Sequence, residues 1–108
     1  MRQVRYNHKV VSAYFREMGL PAPEFELMYI PGRKFRLDVA WPDARVGIEC
    51  QGGIWIRGAH GRGSGIKRDM EKNNLGILAG LRVLQVPPEK LCLLETARMV
   101  KHLFAQGK

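Results

Sequence analysis

Two consecutive segments of the chain alternate apolar and polar residues, with the two-residue period of a β-strand. They cover residues 35–41 and 46–51, and Pro42-Asp43 between them has turn-forming chemistry. The pattern predicts two half-buried strands joined as a hairpin. The apolar face of the first strand would carry Phe35, Leu37, Val39 and Trp41, and that of the second Val46, Ile48 and Cys50.

The remaining periodicities predict three helices and two more strands. Asn7 as N-cap and Gly19 as stop favour a helix over residues 7–18. A second helix is predicted over 67–79, and strands around 24–30 and over 81–86. Pro87-Pro88 would begin a last helix, with an inward face formed by Leu91, Leu94, Ala97 and Leu103 or Phe104.

The resulting order is α-β-β-β-α-β-α. The strand at Glu49, the helix after it and the strand over 81–86 form a crossover unit, which places these two strands in parallel. We therefore expect an α/β fold with a mixed β-sheet flanked by helices. The length of 108 residues fits a single domain spanning 1–108.

The polar faces of the predicted hairpin carry two carboxylates. If Pro42-Asp43 alone forms the loop, Asp38 lies opposite Gly47, and Glu49 is its diagonal neighbour at roughly 7–8 Å. A four-residue loop keeps the same parity. Two inward carboxylates can share an Mg²⁺ ion, whose oxygen bonds are ~2.0–2.1 Å long. The simpler interpretation is two acids on the solvent-facing side of a surface strand.

The charge of the chain favours a polyanionic partner. Lys and Arg total 18 against 10 Asp and Glu, giving a net charge of +8 and a pI near 10.0. Such an excess favours nucleic acid, although basic scaffold proteins share it. No signal-peptide pattern or membrane-spanning run is present, so we expect no membrane association. Cys50 and Cys92 are isolated in apolar segments, which is typical of a reduced, cytoplasmic protein.

Two further segments bear on chemistry. The glycine-rich stretch over 52–65 carries Arg57, His60 and Arg62, which could approach and neutralise phosphates. A flexible surface insertion is the alternative interpretation. On the following helix, Asp69 and Lys72 share a face, and Lys72 is the amine placed to reach the sheet. Otherwise these two residues form an ordinary surface ion pair.

These residues resemble the PD-(D/E)xK nuclease superfamily, and more closely small phage and prophage endonuclease-like proteins related to the very-short-patch-repair and VRR-type nucleases. The similarity runs from about residue 26 to residue 86. It is carried by four motifs: Phe35-Arg36-Leu37-Asp38-Val39-Ala40-Trp41-Pro42, Glu49-x-x-Gly52-Gly53, His60-x-Arg62-Gly63-Ser64-Gly65 and Asp69-x-Glu71-Lys72-x-Asn74.

The resemblance implies a restriction-endonuclease-like core and a metal-dependent DNA endonuclease. Asp38 and Glu49 match the ligands of Mg²⁺ or Mn²⁺, and Cys50 matches the position whose backbone carbonyl completes the metal shell. Gln51 stands where the family more usually has lysine, so Lys72 is the candidate for a lysine moved to the helix. Arg36 joins the glycine-rich stretch as a candidate contact to DNA phosphates.

The resemblance also implies a bacterial or phage-encoded protein acting in the cytoplasm. Two further acids match the pattern of the family only in part. Glu26 matches an acid of the phage proteins, and Glu17 is the single acid of the first helix, where many members place a metal ligand.

Other functions stay open at this level. The Gln51 substitution and the first helix favour, as an alternative, a non-catalytic nucleic-acid-binding module, and the charge permits a structural RNA-binding protein. Junctions, flaps, nicked duplex and single strands all suit a small basic nuclease. A homodimer would favour branched DNA, because resolvases need two active sites.

Overall fold

The computed structural model describes residues 6–50 and 64–107. Within them the elements follow in the order α1 (His8–Glu17), β1 (Glu24–Met28), β2 (Arg36–Trp41), β3 (Val46–Cys50), α2 (Ser64–Leu78), β4 (Arg82–Val86) and α3 (Leu94–Gln106), with short 3-10 turns at Pro42–Ala44 and Pro88–Lys90. A mixed α/β fold with three helices is confirmed for this part of the chain.

The four strands form one mixed sheet in the spatial order β1-β2-β3-β4. β1 with β2 and β2 with β3 are antiparallel, whereas β3 and β4 are parallel. The parallel pair confirms the predicted crossover unit, in which α2 follows β3 and precedes β4. The sheet's central strands, β2 and β3, carry the two predicted carboxylates.

The main hydrophobic core lies between one face of the sheet and helices α1 and α3. Asn7 caps α1, since its side-chain oxygen accepts from the backbone N–H groups of Lys9 and Val10 at 2.8 and 3.2 Å. The indole of Trp41 packs edge-on against Phe15, with ring centroids 5.1 Å apart. The core thus fixes β2 against the first helix.

The last helix begins later than predicted. Pro88–Lys90 form a 3-10 turn, and the extended backbone of Leu93 separates this turn from α3. The interruption changes the phase of the helix, so Leu94 is 46% exposed instead of inward. Leu91 and Ala97 are buried as predicted.

Two arginines hold the helix ends at the hairpin end of the sheet. Arg45 donates to the carbonyl of Ala79, just past α2, at 2.8 Å. Arg82 donates to the carbonyl of Leu103 in α3 at 2.7 Å and to that of Ala44 at 3.0 Å. Arg45 thus supplies a donor to a carbonyl just past the end of α2, and Arg82 adds a second donor to the Leu103 carbonyl, which also accepts from the Gly107 backbone N–H at 3.1 Å. Across residues 6–50 and 64–107, no helix has the length and apolar character needed to cross a membrane.

Candidate functional site

The β2–β3 hairpin has a four-residue loop. Trp41 pairs with Val46 and Ala40 with Gly47, so residues 42–45 form the connection. The expected pairing of Asp38 with Gly47 is therefore wrong. The 3-10 turn lengthens the loop by two residues, which preserves the parity. The paired residues end at Val39 and Ile48, and one further step in the same register would bring Asp38 level with Glu49.

Both carboxylates are buried. Asp38 is 3% exposed and Glu49 is 9% exposed. The prediction of half-buried strands is wrong for this hairpin, because both faces of its central part are covered, one of them by α2. The alternative interpretation of Asp38 and Glu49 as acids on the solvent-facing side of a strand is wrong for the same reason. Buried carboxylates need hydrogen-bond or cationic partners to offset their lost hydration.

Asp38 accepts hydrogen bonds from two other segments of the chain. The N–H of Cys50, on β3, donates to Asp38 Oδ2 at 2.7 Å. On the other side, the Tyr6 hydroxyl donates to the Asp38 carbonyl oxygen at 3.5 Å. Asp38 thus links β3 to the segment that precedes α1. Cys50 is half-buried and packs against the core.

Strand β2 changes faces at Asp38. Phe35 and Leu37 lie toward α2: the guanidinium of Arg68 stands 5.0 Å from the Phe35 ring centroid, and the Leu37 side chain occupies the space beside Gly47. Val39 and Trp41, in contrast, belong to the core beneath α1 and α3. The prediction that these four apolar residues share one face is wrong.

The neighbouring strand is irregular at the matching position. β1 pairs with β2 in one register on both sides of Glu26 and Asp38. Glu26 itself has a φ of 54°, in the left-handed region that a non-glycine residue rarely adopts. A backbone in this region costs about 1–3 kcal/mol and recurs at functional sites. The distortion of β1 therefore lies beside Asp38, the position at which the side chains of β2 stop alternating regularly.

Lys72 crosses from α2 to the sheet and forms an ion pair with Glu49 Oε2. Its side chain is 21% exposed and that of Glu49 is 11% exposed, so water screens the pair only in part. The reach of Lys72 to the sheet agrees with the helix spacing. A surface pair between Asp69 and Lys72 does not account for this position.

A cavity of about 340 Å³ separates α2 from the sheet. Its polar lining includes Tyr29, Glu49, Asp69, Lys72 and Gln85. Burial, and secondly the negative charge of Glu49, raise the pKa of Tyr29 to about 12. The Tyr29 hydroxyl therefore stays protonated at neutral pH and can donate a hydrogen bond into this space.

A basic cluster lies where β2 begins. The Arg33 guanidinium stands 4.6 Å from the Phe35 ring centroid, which the Arg68 guanidinium from α2 also approaches. Arg33 also donates to Glu71 at 2.7 Å, and this hydrogen bond lowers the Glu71 pKa. We define the basic cluster by its five cationic members: Arg33, Lys34, Arg36, Lys67 and Arg68. All except half-buried Arg33 are exposed.

Sequence reasoning identified only Arg36 within this cluster. The signal for Arg33 and Lys34 was the basic run from Arg33 to Arg36, interrupted by a single aromatic residue, and Lys67-Arg68 form a second basic pair. Gln51, Arg57, His60 and Arg62, also predicted site residues, lie outside the described residues. Glu17 is the last residue of α1 and is exposed, whereas a metal ligand is expected to be buried.

The donor set that the structure brings together consists of Asp38 and Glu49. Residues 6–50 and 64–107 contain no group of three or more His, Cys, Asp or Glu side chains arranged to hold a metal ion. Mg²⁺ is usually bound through one or two carboxylates together with waters and substrate phosphates. Two buried carboxylates on adjacent strands therefore fit Mg²⁺ or Mn²⁺, provided that Lys72 yields its position on Glu49.

No protein-family model, curated protein or solved structure matches this chain.

Proposed function

We propose that this chain is a divalent-metal-dependent DNA endonuclease of the PD-(D/E)xK type. One observation carries the proposal: the carboxylates of Asp38 and Glu49 are both buried on the adjacent central strands β2 and β3, and Lys72 reaches Glu49 from α2. Structural carboxylates are rarely buried on neighbouring strands, because their charges repel each other and lose hydration. A cation between them removes both penalties.

The fold supports the same proposal. Three antiparallel strands, a helix and a parallel fourth strand give a mixed sheet compatible with a restriction-endonuclease-like core. The resemblance assigns Asp38 and Glu49 to the metal, and these residues occupy the central strands β2 and β3. The backbone distortion at Glu26 and Asp38 agrees with a site that departs from regular packing.

Each residue then has a chemical task. Asp38 and Glu49, with the Cys50 carbonyl, would hold the metal, which supplies an activated water and charge neutralisation at the scissile phosphate. Gln51 would orient that water through its amide. Lys72 would place its ammonium toward a phosphate oxygen. Tyr29 faces the same cavity with a protonated hydroxyl.

Phosphate binding would come from cationic side chains around the carboxylates. The basic cluster lies at the end of the sheet where β2 begins, two residues before Asp38 along the strand. Arg36, a member of it, would contact neighbouring phosphates, as would Arg57, His60 and Arg62. Binding through such contacts releases counterions, so affinity should fall steeply with salt.

One observation favours a second candidate, a non-catalytic nucleic-acid-binding module. The Lys72–Glu49 ion pair already balances one buried carboxylate without a metal. A chain that uses Lys72 in this way permanently would bind nucleic acid without hydrolysing it.

The decisive experiment incubates the protein with supercoiled plasmid and a labelled four-way junction in Mg²⁺, Mn²⁺ or EDTA. Asp38→Asn serves as the matched variant, because an amide keeps the acceptor for Cys50 but removes the charge. Metal-dependent cutting that is lost in Asp38→Asn is the expected result. Binding by both proteins without cutting in either metal would favour the non-catalytic module. The preferred substrate would indicate which DNA form is processed.

A further inference from the structure

The Lys72–Glu49 ion pair places a cation where the proposed metal would bind. Glu49 Oε2 is shielded from solvent and contacts the Lys72 ammonium. A divalent ion bound to the same carboxylate would stand within a few ångströms of that ammonium. Two cations so close in a partly buried setting repel each other strongly. Lys72 and the metal therefore compete for Glu49.

We propose that Lys72 is a resident counter-cation, which balances Glu49 in the metal-free protein and is displaced when a divalent metal binds. The proposal rests on the proposed metal site at Asp38 and Glu49. It differs from the assignment of Lys72 to the phosphate, because it concerns the protein before any nucleic acid arrives. The same side chain would thus become available to a phosphate only after the metal has taken its place.

The surroundings of Lys72 allow this displacement. The side chain borders the cavity of about 340 Å³, so the ammonium can leave Glu49 without moving the backbone of α2. Asp69 lies one helical turn earlier and borders the same cavity. It offers a second carboxylate to the displaced ammonium.

The structure also explains why a resident cation is needed. Glu49 lies on a central strand and is 9% exposed, and Asp38 lies on the adjacent strand with 3% exposure. Two buried negative charges without a cation would oppose folding. Lys72 supplies that cation until the metal does, so removal of Lys72 should make the site more receptive to metal.

The test measures Mn²⁺ binding to the full chain by titration calorimetry, without nucleic acid. Lys72→Met keeps the side-chain length and removes the charge, and Lys67→Met, an exposed lysine of the same helix, is the matched control. We expect Lys72→Met to bind Mn²⁺ at least about tenfold more tightly than wild type, because the variant lacks the ammonium that competes with the metal for the buried Glu49 carboxylate. Lys67→Met should stay within about threefold, since exposed charges are screened.

A second readout uses thermal unfolding. Without metal, Lys72→Met should unfold at a lower temperature than wild type, and saturating Mn²⁺ should raise its Tm by more than it raises that of wild type. Unchanged or weaker Mn²⁺ affinity in a folded Lys72→Met protein would overturn the inference.

A wild-type measurement keeps the test valid if Lys72→Met does not fold. Titration with Mg²⁺, followed by NMR of the lysine side-chain Nζ resonances, should shift the Lys72 signal and leave that of Lys67 nearly unchanged. A Lys72 signal that stays constant while Mg²⁺ saturates the site would contradict displacement. Glu49→Gln separates the two proposals: if wild type binds no metal through Glu49, both fail, whereas Glu49-dependent binding with a constant Lys72 signal rejects only the counter-cation.

Discussion

The side chain of Leu37 fills the space that a side chain on Gly47 would require. A Cβ at Gly47 would lie 2.6 Å from Leu37 Cδ1 and 3.3 Å from Leu37 Cγ. Leu37 is fully buried, so a Cβ at Gly47 could be accommodated only if the Leu37 side chain shifted within the protein. The glycine thus allows Leu37 to lie on the face toward α2, which accompanies the change of faces at Asp38.

This contact predicts that Gly47→Ala destabilises the fold by about 1–3 kcal/mol through overpacking. Gly76 provides the matched control, because a Cβ there would meet the Tyr29 ring at an ordinary 3.8 Å. Gly76→Ala should stabilise α2 by roughly 0.5–1 kcal/mol, since glycine is costly within a helix. Urea denaturation of both variants checks the opposite signs. Equal effects would show that Leu37 adjusts freely.

The hydrogen bond between Cys50 N–H and Asp38 Oδ2 predicts a difference between two substitutions. Asp38→Asn retains an oxygen acceptor at this position, whereas Asp38→Ala leaves the N–H without one. We expect Asp38→Ala to lower the free energy of unfolding by about 1–3 kcal/mol more than Asp38→Asn does, which is the penalty of an unsatisfied buried donor. Faster hydrogen exchange of the Cys50 amide in the alanine variant alone would accompany the loss. Equal stability of the two variants would contradict the assignment.

Tyr29 should titrate unusually late. Its pKa of about 12, against 10.0 for an ordinary tyrosine, results from burial and then from Glu49. The folded chain keeps the proton that the unfolded chain releases near pH 10. The associated stability is therefore fully present below pH 10 and is lost as the pH rises toward 12.

Ultraviolet absorbance titration of tyrosinate checks this prediction. The component near pH 12 should be absent from Tyr29→Phe, and Glu49→Gln should shift it to lower pH because one of its two causes is removed. A wild-type titration in which every tyrosine ionises near pH 10 would exclude the buried setting.

The basic cluster predicts a change in salt dependence. Arg68→Ala should reduce the slope of log affinity against log salt by about 1, as expected for one lost phosphate contact. Arg98, an exposed arginine on α3, is the control and should leave the slope unchanged. Filter binding to a duplex at several salt concentrations measures both. Equal slopes for the two variants would place the DNA elsewhere.

Much of the site followed from the sequence. Alternation identified β2 and β3, and helical spacing directed Lys72 toward the sheet. Both depend on the period of one strand or one helix. The mixed sheet also agrees with the sequence, because parallel strands need a crossover connection, which the intervening helix supplies.

The remaining features depend on contacts between distant segments. The change of faces at Asp38 accompanies the left-handed backbone of Glu26, and no local pattern signals such a conformation for glutamate. The burial of both carboxylates depends on how α2 lies over the sheet. Arg33 and Arg68 meet on Phe35 across 35 positions of sequence, a distance over which periodicity carries no information.

Arg45 and Arg82 lie at the opposite end of β2 from the basic cluster. Both side chains are committed to carbonyl oxygens near the ends of α2 and α3, at the hairpin end of the sheet. The basic cluster occupies the other end of β2, where four of its five cations are exposed. A polyanion would therefore meet available cations in the basic cluster, whereas Arg45 and Arg82 are engaged within the protein. Net charge alone overstates the number of cations that such a partner can engage.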